Sequence, residues 1–279
     1  MWTYQTKGSF DPPDNVKILP MPSLGENQQK WNAYQWAEGG HEWSAPWGDS
    51  NQIWLGHLLP RIGRFLPTES LLEIAPGYGR WTRYLREFAG SYAGVDVAEK
   101  AVAACQQQFP DLRFFVNDGL SLGMIGDQSI SFCFSYDSLV HANRDVLRSY
   151  VAELNRILTD GGMAFLHHSN LGEYGDALAV KKRAAALIPS GRLKKWLKLI
   201  PELGWRDPGV TATFVKECCL ENQLYCRQEL ITWLETDDLL IDCFTLISRR
   251  PMQYELIRNF DFGDALAANS RRCSKHYAI

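Results

Sequence analysis

The chain has 279 residues, 46% apolar and 22% charged, an ordinary globular balance that excludes a disordered or collagen-like protein. Twenty-nine basic against 32 acidic residues leave a formal charge of −3, which gives no general pull toward nucleic acid. No apolar run reaches the ~18 residues of a membrane span, the first ten residues lack a signal-peptide core, and seven scattered cysteines without a C-x-x-C point to a reducing, cytoplasmic setting.

Residues 1–50 read as an irregular arm with prolines at 12, 13, 20, 22 and 46. Six of the ten tryptophans (2, 31, 36, 43, 47 and 54) precede residue 55, so this arm must lie against something. From 51 the pattern becomes regular. Ile53, Trp54, Leu58, Leu59, Ile62 and Phe65 have helical spacing, interrupted by Pro60. Strands are predicted at 70–75, 92–97, 112–116, 130–136 and 163–167, with helices at 80–88, 98–108 and 144–158 between them. Asp160-Gly161-Gly162 reads as a helix stop. Near-continuous apolar strands alternating with helices imply a parallel sheet covered on both faces. Residues 170–209 read as a cap insertion, 210–222 as a helix, and 224–232 and 239–248 as an antiparallel pair. The expected fold is thus α/β, a doubly wound Rossmann-like sheet of seven strands, five parallel plus a terminal antiparallel pair. The domain spans 51–248 and is followed by a tail at 249–279.

The chemistry centres on Glu73-Ile74-Ala75-Pro76-Gly77-Tyr78-Gly79-Arg80, where a strand enters a glycine-rich turn and then a helix. Bare glycines let a ligand approach the backbone, and the helix start offers unpaired N–H groups. Asp96 ends the second strand, 17 residues after Gly79, where an acid can accept both hydroxyls of a ribose. Asp118 follows the third strand in Asn117-Asp118-Gly119. A dinucleotide site wants G-x-G-x-x-G for close helix packing, but the run here is Gly77-Tyr78-Gly79-Arg80-Trp81-Thr82, with the bulky Trp81 against that pattern. Glu73 before the turn suits an ammonium better than a pyrophosphate. These residues call for a ligand with a ribose, a positive amino group and no phosphate.

The run E-x-A-P-G-x-G, Asp96, Asn117-Asp118-Gly119 and Leu158-Thr159-Asp160-Gly161-Gly162 resembles the class I S-adenosylmethionine-dependent methyltransferases. Ala75-Pro76 departs from the commonest form, which has a glycine first. The resemblance implies S-adenosylmethionine as cofactor. It places Glu73, Ala75, Gly77 and Gly79 around the methionine moiety and Asp96 on the ribose. Val97 would touch the adenine edge, Asp118 would bond the adenine amino group beside Gly119, and Ser135 and Tyr136 would lie under the sulfonium.

Methyl transfer needs an aligned acceptor, and a hydroxyl acceptor gains from a base. His141 follows the fourth strand, and His167 and His168 end the fifth. His141 is the expected base, with His167 or His168 orienting substrate beside Asp137; no metal site is expected. Ser-Tyr-Asp-Ser at 135–138 is unlike the N/D-P-P-Y run of amine-methylating relatives, which disfavours a DNA base. Trp43-Ser44-Ala45-Pro46-Trp47-Gly48 and His167-His168-Ser169-Asn170 resemble bacterial sugar and glycan O-methyltransferases, so Trp43 and Trp47 are expected to stack on a sugar. Lys181, Lys182, Arg183, Arg192, Lys194, Lys195 and Lys198 suggest a phosphate-bearing acceptor or contact with a membrane surface over 181–198. The rival readings are a methyltransferase of another small metabolite, at oxygen or nitrogen, a nicotinamide dehydrogenase, and an idle nucleoside-binding scaffold.

Overall fold

In a computed structural model, the strands β1 (Thr68–Ile74), β2 (Ala89–Asp96), β3 (Arg113–Val116), β4 (Ile130–Ser135), β5 (Leu158–Ser169), β6 (Tyr225–Ile231), β7 (Asp242–Ser248) and β8 (Leu256–Asn259) form one sheet. Their order is β3-β2-β1-β4-β5-β7-β6-β8. The structure describes residues 23–36, 38–44, 49–190, 206–233 and 239–268. Strands β1 to β5 run parallel, β7 lies antiparallel to both β5 and β6, and β8 is parallel to β6. Seven strands therefore share one direction and β7 opposes them.

The expected seven strands become eight. The extra strand, β8, has only its end residues half-buried, so it carries no apolar alternation to announce it. β5 also begins earlier than expected. Leu158 pairs with Ile130, and the register slips before Phe132 pairs with Met163. Gly162 sits in that irregularity, where a Cβ would stand 2.8 Å from the Ile130 carbonyl oxygen. Asp160-Gly161-Gly162 is thus a glycine-bearing bulge inside a strand rather than a stop before one.

Helices cover both faces. α1 (Leu24–Ala33) belongs to the arm and opens with a capping box: Ser23 Oγ accepts the Glu26 N–H, and Glu26 Oε2 accepts the Ser23 N–H. A helical run follows in three segments, Ser50–Ile53, Trp54–Leu58 and Leu59–Ile62. The middle one is π-wound and Pro60 stands at the start of the third. A ring without an N–H cannot continue the regular ladder, and a wider turn accommodates it. This run packs with α2 (Thr82–Leu85) and α3 (Glu99–Gln108) on one face around Leu71, Phe132 and Phe134. On the other face, α4 (Arg144–Ile157) and α6 (Ala212–Glu221) bury Leu147, Val151, Leu154, Phe214 and Val215 against Leu72, Ile74 and Val95. Asn143 caps α4 through the Val146 N–H and Thr211 caps α6 through the Phe214 N–H. Within the expected insertion, α5 (Gly175–Ala186) follows a short turn at Leu171–Tyr174. Trp47, residues 192–198 and the segment 235–238 lie outside the described residues. Among the described residues, no helix is long and apolar enough to cross a membrane.

Candidate active site

The turn after β1 holds three residues in the left-handed region: Ala75 at φ 57°, Gly77 at 57° and Gly79 at 79°. Asp96, at the carboxyl end of β2, braces this turn. Its Oδ2 accepts the Gly77 N–H at 3.0 Å and its Oδ1 accepts the Ala98 N–H at 2.9 Å. Burial pushes the Asp96 carboxyl up, opposed by those two N–H groups. Gly77 and Asp96 therefore sit on one edge of the sheet, joined by a hydrogen bond.

The two turn glycines do different things. A Cβ on Gly79 would stand 2.5 Å from the Phe109 ring, so that glycine permits turn-to-helix packing. The bare face of Gly77 meets Trp36 of the arm, whose ring stacks on Tyr78 at 4.7 Å. Both bare faces therefore meet an aromatic ring of the protein, Phe109 at Gly79 and Trp36 at Gly77.

Glu73 lies beneath the turn and is buried. Its Oε2 accepts the Thr82 hydroxyl at 2.7 Å and the Tyr92 hydroxyl as well. Burial pushes its carboxyl up to about 7 against those two hydrogen bonds. The expected partner of an ammonium is here a brace below the turn. Across the sheet edge, Asp118 is exposed and its Oδ1 accepts the N–H groups of Leu120 and Ser121 at 2.8 and 2.6 Å. Those hydrogen bonds, Ser121 first, lower its pKa. Asp118 shapes its own turn, and Gly119 at φ 76° follows with Val97 Cγ1 3.0 Å from the place of its Cβ.

Beyond the Gly77–Asp96 pair, the turn after β4 carries Asp137 at φ 61°. Arg80 Nη2 donates to Asp137 Oδ2 at 2.9 Å, Arg80 Nη1 reaches Ser44 Oγ at 3.4 Å, and the guanidinium lies 4.7 Å over Trp81. Arg80, which the sequence reading did not single out, therefore joins the cofactor turn, the acceptor turn and the arm. His141 is half-buried on the same segment, its ring 5.6 Å from that of Trp31, and its carbonyl accepts Asn27 Nδ2 at 3.4 Å. Trp43 is 39% exposed and packs on Tyr34 at 5.5 Å. Ser135 is buried, and the Tyr136 ring lies between Trp81, at 5.5 Å, and His167, at 5.0 Å. Both residues are buried, and Tyr136 is packed among those rings.

His167 and His168 do not share a site. Successive strand residues face opposite sides of a sheet. His167 Nδ1 accepts the Asp137 N–H at 3.1 Å, which leaves the proton on Nε2, 3.3 Å from Asp242 Oδ2. Arg206 holds Asp242 through two hydrogen bonds at 2.6 and 2.7 Å, and Trp233 Nε1 donates to it at 2.6 Å. On the other face, His168 Nδ1 donates to the Ser169 carbonyl at 2.8 Å and Nε2 accepts the Thr245 hydroxyl at 2.7 Å. Burial lowers its pKa to about 4. Both rings are fully buried and both are engaged by protein groups. The expectation that either orients substrate directly gives way to structural roles, in which His167 holds the Asp137 turn by its backbone.

Of the residues along this edge, Asp96 keeps acceptor capacity that suits a ribose. Two backbone N–H groups occupy about half of the lone-pair directions of Asp96, leaving room for a diol. Gly77, Val97 and Gly119 lie along the same edge, with Trp36 and Leu24 of the arm against the two glycines. Residues 71–162 match a family model described as a methyltransferase domain. That match covers 92 of the 279 residues and marks a methyltransferase domain there. The sheet around this domain is similar to several solved structures. One is a geranyl diphosphate methyltransferase in complex with its diphosphate and sinefungin, at TM-score 0.56 and 15% identity over 81% of this chain and 98% of that one. Another is the magnesium protoporphyrin IX methyltransferase of Synechocystis PCC 6803 with bound SAH, at 0.52 and 16% over 81% and 99%. At these identities the likeness is one of fold.

Proposed function

We propose that the methyltransferase domain methylates a hydroxyl of a sugar or glycan, with His141 as general base. The observation that carries this reading is the position of His141 after β4, on the same turn as Asp137, whose carboxylate Arg80 holds. When bound, S-adenosylmethionine supplies an electrophilic methyl on a sulfonium leaving group. The protein's part is to align the acceptor oxygen and remove its proton. Arg80 orients the Asp137 carboxylate, which can accept an acceptor hydroxyl. His141 takes the proton of the attacking hydroxyl. Trp43 and Tyr78 offer flat apolar faces on which a sugar ring can stack. Lys181 and Arg183 on α5 add positive charge beyond β5, which suits an acceptor bearing phosphate.

A screen with radiolabelled methyl donor over sugar nucleotides, glycans and phenols tests the acceptor class. Methylation confined to phenols or amines overturns the sugar reading. With the acceptor found, His141→Ala is expected to lose about 10²–10⁴-fold in turnover while binding S-adenosylhomocysteine as the wild type does. Unchanged turnover removes His141 as the base.

A further inference from the structure

Two glycines with positive φ present bare Cα faces to the cofactor edge, Gly77 and Gly119. Each face is already covered by the arm. The Trp36 ring comes within 2.9 Å of where a Gly77 Cβ would stand, and Leu24 Cδ1 within 2.4 Å of where a Gly119 Cβ would stand. Ligand atoms need about 3.5–4 Å from each carbon they touch. A side chain in contact with the glycine leaves no such layer beneath it. Between these two points the arm is fastened along the same edge: Gln28 Nε2 donates to the Val97 carbonyl at 3.1 Å, and Asn32 Oδ1 accepts the Lys100 N–H at 3.2 Å. The Val97 carbonyl and the first turn of α3 lie where the nucleoside end of the cofactor would pass.

We propose that residues 24–36 are an intramolecular competitor for the cofactor, with Trp36 covering the methionine end of the site and Leu24 the adenine end. The inference rests on the cofactor assignment above. No residue of α1 is fully buried, so lifting it exposes only partly buried side chains, Leu24 among them. Its departure uncovers the stacked face of Tyr78, so cofactor binding also prepares the acceptor side. The apparent affinity for cofactor is then the affinity of the open form reduced by the fraction of molecules that are open.

The test is calorimetric titration of the full chain with S-adenosylhomocysteine, joined to hydrogen exchange over 24–36. Trp36→Ala and Leu24→Ala are each expected to tighten binding by about fivefold or more. In the wild type, saturating ligand is expected to speed exchange across 24–36. Equal or weaker binding in both variants overturns the proposal, and so does slower exchange, which makes the arm a lid that closes on the ligand. If one variant fails to fold, the other variant and the wild-type exchange decide. Absence of binding in the wild type and in both variants overturns the cofactor assignment instead.

Discussion

Replacing Glu73 by glutamine changes the pH dependence of stability in a direction and amount that the structure dictates. Burial raises the Glu73 carboxyl from 4.5 to about 7, although Tyr92 and Thr82 donate to it. The native state therefore holds a proton that the unfolded chain has released. The stability linked to this group is fully present below pH 4.5 and is lost as pH rises through about 7. At 1.36 kcal/mol per unit, the loss is roughly 3 kcal/mol. A glutamine oxygen can accept the same two hydroxyls but does not titrate. The gap in unfolding free energy between Glu73→Gln and the wild type should accordingly move by about 3 kcal/mol in favour of the variant between pH 4.5 and 8. Urea unfolding at pH 5, 6, 7 and 8 measures that gap directly. If the two stability curves run parallel across this range, Glu73 is not a desolvated brace and the account of the turn is wrong.

Two further changes probe the frame around the site. Burial alone would raise the Asp242 carboxyl, but Arg206 and His167 hold it below its ordinary 3.8. Its contribution is thus present above pH 3.8 and lost as pH falls through the lower folded value. Asp242→Asn leaves Arg206 without its buried partner and should cost about 3–5 kcal/mol by urea unfolding at pH 7; a loss under about 1 kcal/mol would show that the pair is not needed. Ala75 at φ 57° bears a strain of about 1–2 kcal/mol that glycine does not. Offset by the freer unfolded chain, Ala75→Gly should gain up to about 1 kcal/mol, read as a rise of a few degrees in Tm. A marked fall in Tm would mean that the Ala75 methyl has a packing role.

The parallel strands were legible because each is a short apolar run closed by a turn residue. The Gly77–Asp96 pair was legible because glycines and an acid recur at the carboxyl ends of β1 and β2. What escaped was decided by partners far away in the chain. Nothing local in Arg80 announces that it will bridge Asp137 and Ser44, and nothing in Arg206 points to Asp242. His167 and His168 misled as a pair, although the two-residue period of a strand already forbids both from facing one site. Gly79 looked like Gly77 in sequence, but its bare face meets the Phe109 ring and that of Gly77 meets the Trp36 ring. Strand β8 pairs through its backbone with few buried side chains to mark it. The aromatic load of the arm did foretell a covered surface, but not that the surface runs along Gly77 and Gly119.

Everything turns on Asp96 and Gly77 gripping an S-adenosyl nucleoside, and isothermal titration of wild type and Asp96→Asn with S-adenosylhomocysteine tests this most directly. The variant halves the acceptors available to a ribose diol while keeping the side-chain shape, and is expected to bind at least about tenfold more weakly with its fold intact by circular dichroism. Equal affinity in the two proteins, or a wild type that takes NADH and ignores S-adenosylhomocysteine, would contradict the account.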